Sequence, residues 1–172
     1  MPMYLYLGDI TRMETDAIVN AAGTDLRRCP GICDAIFAAA DTEKLERACR
    51  KLGRCRIGQA VATPGCGLPC RYIIHVAGPG WYGGGPRERV LLAGGYQNAL
   101  HKAYLCSCRR VAVPLIFSGD CHMPRAASLR VAGAAIADFC QRHPSMEVTL
   151  VLYRQSIYDM AKRILGWEDA PS

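Results

Sequence analysis

Short apolar runs alternate along the chain with longer segments that repeat an apolar residue every three or four positions. The short runs predict β-strands at residues 3–7, 16–19, 59–63, 72–76, 110–115 and 147–153. The longer segments predict helices at residues 35–40, 43–52, 88–105, 124–140 and 156–165, and residues 167–172 are expected to be a frayed tail. Strands that alternate with helices are typical of an α/β fold, in which helices cover both faces of a largely parallel sheet.

The helix predicted at 88–105 is long enough for its inward face to be assigned. That face is expected to consist of Val90, Leu91, Tyr96, Leu100 and Tyr104. A glycine- and proline-rich loop at 78–86 precedes the helix. No repeat, low-complexity tract or linker interrupts the chain, so residues 1–172 are expected to form a single domain.

Composition narrows the class of protein. The chain has 172 residues, of which 51% are hydrophobic, and this suits one domain with a substantial core. No apolar run approaches the roughly 20 residues that a membrane-spanning helix needs. The first residues lack the basic start and small-residue cleavage site of a signal peptide. We therefore expect a cytoplasmic protein that does not contact membranes.

The 10 cysteines are expected to be free thiols, because a reducing compartment disfavours disulfides. A zinc site is the alternative reading of so many cysteines. Structural zinc sites usually draw on closely spaced ligand pairs, and this chain has no C-x-x-C pair. The sequence therefore predicts no metal site, with most cysteines acting as small hydrophobic residues.

A net charge of +6 makes the chain moderately basic. Part of the excess is a cluster formed by Arg47, Arg50, Lys51, Arg54 and Arg56. Such a cluster can bind nucleic acid or attract an anionic ligand. No aromatic RNA-binding motif accompanies it, so a solvated helix face is the favoured interpretation and nucleic-acid binding is kept as an alternative.

Four motifs in order carry a resemblance to a known family. They are Gly8-Asp9-Ile10-Thr11, the strand run at 16–22 that ends Asn-Ala-Ala, the Leu-Pro-x-x-Tyr-x-Ile-His-x-x-Gly-Pro segment at 68–79, and the glycine-bearing segment at 113–119 with a proline at 124. With these motifs the chain resembles macrodomains, the modules that bind ADP-ribose, and in particular bacterial stand-alone domains of the MacroD type. The likeness covers nearly the whole chain.

The resemblance implies a three-layer α/β/α fold around a mixed, largely parallel sheet. It also implies a monomer that binds ADP-ribose or ADP-ribosylated protein and needs neither metal nor cofactor. A carboxylate at Asp9 would accept a hydrogen bond from the adenine amino group, and two loops would bind the diphosphate through backbone N–H groups. The implied ligand-binding residues are Asp9, Ile10, Ala22, Gly31, Ile32, Cys33, Ser118, Gly119, Asp120, Cys121, His122 and Tyr153.

The chain departs from the family where the hydrolases carry their catalytic residues. Those enzymes have asparagine and aspartate at the positions that match Gly23 and Cys33. Asp34, one place later, is the remaining catalytic candidate, but one residue rotates a helical side chain by about 100°. The first diphosphate loop keeps only Gly31 where relatives have several glycines, and Pro30 lacks an N–H.

These departures leave three functions open, one favoured interpretation and two alternatives. Binding of free or protein-linked ADP-ribose is the favoured interpretation. Hydrolysis of ADP-ribosyl bonds, or deacetylation of O-acetyl-ADP-ribose, with non-standard residues is the first alternative. A nucleic-acid-binding or interaction domain whose cleft is disused is the second.

Overall fold

The computed structural model describes residues 2–78, 86–116 and 123–171, and these residues form three layers, helix–sheet–helix. Their seven strands are β1 Met3–Leu7, β2 Ala17–Ala22, β3 Ala60–Pro64, β4 Tyr72–Ala77, β5 Arg110–Pro114, β6 Glu147–Leu152 and β7 Glu168–Asp169. The α-helices are α1 Ile32–Ala39, α2 Thr42–Leu52, α3 Pro86–Leu105, α4 Arg125–Arg142 and α5 Gln155–Leu165. A short 3₁₀ helix spans Ile10–Arg12.

The strands form one sheet in the order β3-β4-β2-β5-β6-β1-β7. Only β3, at one edge, runs antiparallel to its neighbour, and the other pairings are parallel. The predicted α/β fold with a mixed, largely parallel sheet is confirmed. Because the strands from β4 to β1 run in one direction, their carboxyl ends lie along the same edge of the sheet, where open α/β folds bind ligands.

Side chains of the sheet alternate between two hydrophobic clusters, one on each face. In β2, Ala17 and Val19 belong to the cluster under α3, α4 and α5, whereas Ile18 belongs to the cluster under α1 and α2. All three are at most 1% exposed. A fully buried side chain of this kind contributes about 1.5–3 kcal/mol, so both helix layers are held to the sheet by its apolar alternation.

The predicted inward face of α3 is wrong at two positions. Val90 and Tyr104 are 71% and 45% exposed, so they lie on the outer side of the helix. The buried stripe consists of Leu92, Tyr96, Ala99, Leu100 and Ala103. Three- and four-residue steps connect these positions, but two of them are alanines, which a search for large apolar residues passes over.

The prediction of a frayed tail is also wrong. Residues Glu168–Asp169 pair in parallel with β1, and the Ala170 N–H donates to the Leu5 carbonyl at 2.9 Å. The Tyr158 hydroxyl donates to the Asp169 carboxylate, and Lys162 Nζ donates to the Trp167 carbonyl at 3.0 Å. A strand of two polar residues has no hydrophobic period, so nothing in its own sequence predicts it. Its formation depends on pairing with β1.

The longest helices, α3 with 20 residues and α4 with 18, carry charged side chains along their length. In the described part of the chain, no helix combines the length and the apolar character needed to cross a bilayer.

Candidate functional site

Strands β1, β2 and β6 bring the described members of the predicted site to one edge of the sheet. Gly8 follows β1 and donates its N–H to the Leu152 carbonyl at the end of β6, at 2.9 Å. This pairing brings Asp9 and Tyr153, which follow the two strands, to the same edge of the sheet. Three strand spacings separate β1 from β2, or about 14 Å. An elongated ligand can therefore lie across the strand ends, with Asp9 near one end and the loop after β2 near the other.

Asp9 is held in a defined orientation by the backbone that follows it. Its Oδ1 accepts hydrogen bonds from Thr11 N at 2.9 Å and from Thr11 Oγ1 at 2.7 Å, which caps the 3₁₀ helix. The side chain is exposed, and within the described residues its Oδ2 has no hydrogen-bond partner. Asp9 therefore presents one fixed, uncommitted carboxylate oxygen at the sheet edge.

Aromatic rings lie beside this carboxylate. Tyr153 is 81% exposed at the end of β6, which suits stacking on a flat ligand. Tyr6 is 41% exposed, and a Cβ at Gly8 would collide with its ring, so the absence of a side chain at Gly8 lets that ring lie across the strand end. The sequence prediction included Tyr153 but not Tyr6. Ile10, by contrast, is 4% exposed and packs in the core, so only its backbone can meet a ligand.

The first predicted diphosphate loop leads directly into α1. Gly31 is the N-cap residue, with φ 85° and ψ −139°, a conformation that favours glycine. No side chain of the described residues caps the helix there, so backbone N–H groups of the first turn keep no intrahelical partner. Ile32 is half-buried and Ala22 is buried beneath the loop. The loop can thus bind an anion through its backbone despite its single glycine.

Leu26 anchors the connection between β2 and this loop. Its side chain is 2% exposed and packs in the cluster under α1, and its φ of 57° is unusual for a residue other than glycine. Its N–H donates to the Gly23 carbonyl at 3.1 Å. A buried side chain holds the backbone in this conformation, so the loop has a defined path before ligand binds.

Cys33 points inward, away from the groove. It is fully buried, with its sulfur 3.8 Å from the Arg27 carbonyl and 3.7 Å from Asn20 Nδ2. Its neighbour Cys29 is half-buried, and burial, together with a hydrogen bond to Cys33, raises the pKa of the Cys29 thiol to about 12. A thiol with a raised pKa is a poor nucleophile at neutral pH. The pair therefore packs the base of the loop.

A chain of buried polar side chains supports Cys33 from below. Asn20 Nδ2 also lies 3.0 Å from His75 Nδ1, and His75 Nε2 lies 3.0 Å from Thr63 Oγ1. Asn20, His75 and Thr63 are at most 2% exposed. The chain runs from the edge strand β3 through β4 and β2 to the first turn of α1, and it ties the loop to the sheet.

Asp34, the remaining catalytic candidate, forms an ion pair. Its Oδ1 lies 2.6 Å from Arg28 Nε, and the two side chains are 57% and 39% exposed. The pair joins the start of the loop to the first turn of α1. The sequence prediction did not include Arg28, because nothing in its local pattern indicates that it reaches a carboxylate six residues later.

The second predicted diphosphate loop lies outside the described residues. This applies to Ser118, Gly119, Asp120, Cys121 and His122. The residue that leads into it is described: the Ile116 N–H donates to the Tyr96 hydroxyl at 2.7 Å, and both residues are fully buried. Tyr96 on α3 therefore fixes the point from which the second loop starts.

Replacing Tyr96 by phenylalanine is expected to lower the free energy of unfolding by about 1–2 kcal/mol, because the buried Ile116 N–H loses its acceptor. Urea unfolding of the wild type and the variant measures this loss. Tyr72→Phe is the matched control, because Tyr72 is only half-buried and accepts no such bond. Equal stability of Tyr96→Phe and the wild type would contradict this role of the hydroxyl.

Comparison with known proteins places the described geometry in context. A family model described as Macro domain matches residues 19–132. A macro domain-containing protein of Mesorhizobium japonicum is 43% identical over 133 residues, which cover 77% of this chain and 75% of that protein. A Citrobacter koseri protein named O-acetyl-ADP-ribose deacetylase is 39% identical over 163 residues, with 92% of each chain covered. A variant of the Oceanobacillus iheyensis macrodomain, solved with ADPR, superposes with a TM-score of 0.88 at 31% identity and covers 94% and 90% of the two chains.

Proposed function

The chain belongs to the macrodomain family, and we propose that it binds ADP-ribose, free or attached to a protein, in the groove along the carboxyl edge of its sheet. Asp9 recognises the adenine amino group through its uncommitted oxygen, and Tyr153 stacks on the ring. Backbone N–H groups at Gly31 and the first turn of α1 bind the diphosphate. The ribose that follows the diphosphate then lies near Gly23.

One observation carries this proposal more than any other. Asp9 and the Gly31 loop follow β1 and β2, two strands that end at the same edge of the sheet and are separated by three strand spacings, or about 14 Å. One is an oriented acceptor and the other a set of backbone donors, and adenine and diphosphate need those groups at opposite ends of an elongated site. The related Oceanobacillus iheyensis variant was solved with ADPR, which supports the same ligand class.

Titration calorimetry with ADP-ribose tests the proposal directly. We expect one binding site per chain, weaker binding of AMP, which lacks the second phosphate, and no heat from GDP, whose base offers no adenine-type amino group to Asp9. Asp138→Ala is a matched control, because it removes an exposed carboxylate from α4 on the opposite face. Absence of a binding signal with ADP-ribose would remove the proposal.

A second candidate function is hydrolysis, supported by the relatives that are named O-acetyl-ADP-ribose deacetylase. Gly23 and Cys33 stand where such enzymes carry asparagine and aspartate, so we expect turnover to be slow or absent. Release of ADP-ribose from a modified protein, and of acetate from O-acetyl-ADP-ribose, measures it. Turnover that is lost in Asp34→Ala and retained in Cys33→Ala would assign Asp34 as the catalytic acid or base.

The proposal includes a cytoplasmic location and a monomeric state. The absence of a membrane-spanning helix among the described residues is compatible with that location. Light scattering of the purified chain, with and without ADP-ribose, measures the oligomeric state, and a stable dimer would contradict the second part.

A further inference from the structure

A cleft beside the proposed ADP-ribose groove is not used by the adenine or the diphosphate. It has a volume of about 590 Å³, and the described residues that line it are Thr24, Arg54, Cys55, Arg56 and Ile57. The lining comes from two segments, the turn after β2 and the loop between α2 and β3. None of these five lining residues is assigned to the adenine or the diphosphate above.

Backbone hydrogen bonds fix the position of this cleft. The Cys55 N–H donates to the Thr24 carbonyl at 2.9 Å, and the Gly58 N–H donates to the Ala77 carbonyl at 2.7 Å. The loop therefore lies over the carboxyl ends of β2 and β4, next to Gly23. Along the sheet edge, β4 is four strand spacings from β1, or about 19 Å. The cleft thus continues the groove beyond its end farthest from Asp9.

The cleft is positively charged and its charges are unpaired. Arg54 and Arg56 are exposed, and neither has a carboxylate within ion-pair distance in the part of the chain that is described. Arg28, by contrast, is paired with Asp34. An arginine without an internal partner keeps its donors available for an external anion.

Helix α2 extends this positive surface. Arg47, Arg50 and Lys51 are exposed on the side opposite its buried residues, Leu45 and Cys49. Arg50 and Lys51 also stabilise the carboxyl end of the helix, which accounts for part of their presence. That effect does not apply to Arg54 and Arg56, which follow the helix. The row of five cations ends in the cleft.

We propose that the cleft and this row bind an acidic polypeptide segment, the one that carries the ADP-ribose. The inference rests on the proposed function, since it places the attachment point of the ligand near Gly23. Aspartate or glutamate side chains flanking the modified residue would pair with Arg54 and Arg56. A polypeptide is favoured over a nucleic acid because no described residue of the lining is aromatic, whereas single-stranded nucleic acids are bound by stacking on aromatic rings.

The strength of exposed ion pairs sets the expected difference in affinity between acidic and neutral conjugates. Exposed ion pairs are individually weak, and each changes affinity by about 1.5- to 5-fold. Two arginines acting together should therefore distinguish acidic from neutral conjugates by about 2- to 25-fold. Because both arginines are exposed, the preference for the acidic conjugate should decrease as the salt concentration rises, since salt screens the attraction between exposed charges.

Fluorescence anisotropy with three ligands tests this inference on the full chain. The ligands are free ADP-ribose, a peptide that carries one ADP-ribose between glutamates, and the same conjugate with glutamines at those positions. We expect the wild type to bind the acidic conjugate about 2- to 25-fold more tightly than the neutral one. In Arg54→Ala/Arg56→Ala the two conjugates should bind equally, and Arg54→Glu/Arg56→Glu should prefer the neutral one. Arg130→Ala/Arg163→Ala, which removes two exposed arginines from α4 and α5, should keep the wild-type preference.

The outcomes separate the inference from the function on which it rests. If free ADP-ribose does not bind, the proposed function fails. If it binds but the wild type treats both conjugates alike, the inference about the cleft is overturned and the proposed function stands. If unmodified single-stranded RNA competes for the surface more strongly than an unmodified glutamate-rich peptide, the inference is overturned in favour of a nucleic-acid partner.

Discussion

Replacing Asp9 by alanine is expected to weaken ADP-ribose binding by about 10- to 150-fold. A hydrogen bond to a charged group contributes about 1.5–3 kcal/mol, and Asp9 carries the oriented carboxylate that we propose binds the adenine amino group. The thermal shift that ADP-ribose gives the wild type should be largely abolished, because stabilisation by a ligand depends on its concentration relative to Kd. Calorimetry gives the change in Kd, and the melting temperature with and without ligand gives an independent measure.

Two further variants separate recognition from folding. Asp9 also caps the 3₁₀ helix through Oδ1, so part of any effect could come from a lost cap worth about 1 kcal/mol. Asp9→Asn keeps an oxygen for the cap but replaces the second carboxylate oxygen with an amide donor, so it should be folded and bind as weakly as the alanine variant. Thr11→Val removes one donor to Oδ1 and leaves the carboxylate, so its affinity should stay within about threefold of the wild type.

An unchanged affinity in Asp9→Asn would contradict the adenine assignment while leaving the groove itself in place. A loss in Thr11→Val as large as the loss in Asp9→Ala would show that the 3₁₀ helix, and not the carboxylate, controls binding.

The elements of the fold were predictable from sequence where a hydrophobic period was strong. Strand β1 begins and ends as expected, and β4 extends its prediction by one residue, because both are unbroken β-prone runs. Helix α1 begins three residues earlier than predicted, at Ile32. Its N-cap residue, Gly31, offers no side-chain cap, so the local sequence lacks the usual signal for a helix start.

Other features depend on contacts between distant segments. His75 and Asn20 are 55 positions apart, yet their side chains are hydrogen-bonded in the core. Nothing in the sequence around His75 identifies Asn20 as its partner. The same limit applies to Tyr96, whose hydroxyl binds the residue before the second loop, and to β7, which exists only because β1 offers an open edge. Pairing across a sheet depends on strand order, which no local pattern contains.

Some features of the candidate site could likewise be predicted from the sequence, and others could not. Asp9 could be proposed as a site residue because the chain resembles a family, and the structure adds its orientation through Thr11. The basic cluster was predicted as a helix face, and its helical members Arg47, Arg50 and Lys51 are indeed exposed on α2. The cleft between Thr24 and Arg54 could not have been predicted, because it is formed by a backbone contact across 31 positions of sequence.

The stability of the protein is expected to fall by about 3 kcal/mol between pH 7 and pH 4 because of His75 alone. Burial lowers the pKa of this histidine to about 4, against 6.5 for an ordinary histidine. In the neutral ring, Nδ1 accepts from the Asn20 amide and Nε2 donates to Thr63, so a second ring proton would face the amide donor. Folding therefore favours the neutral form.

The direction of the pH effect follows from proton binding in the two states. Between pH 6.5 and pH 4 the unfolded chain binds the proton and the folded chain does not, so unfolding is favoured as the pH falls. The stabilising contribution is complete above pH 6.5, and it is lost as the pH falls towards the folded pKa of about 4. Protonation near that pH also disturbs the polar chain that supports Cys33, so the loop entering α1 should be among the first segments to open.

Urea unfolding of the wild type and His75→Gln, from pH 4 to pH 7.5, isolates this contribution. Carboxylates titrate in both proteins, so the difference between their free energies of unfolding reports on His75. That difference should change by about 3 kcal/mol across the interval, with the wild type gaining stability as the pH rises. His101→Gln is the matched control, because it removes an exposed histidine that lies outside the buried polar chain. A flat difference for His75→Gln would mean that His75 accepts a proton in the folded protein as readily as in the unfolded chain, and that the buried polar chain does not depend on its neutral form.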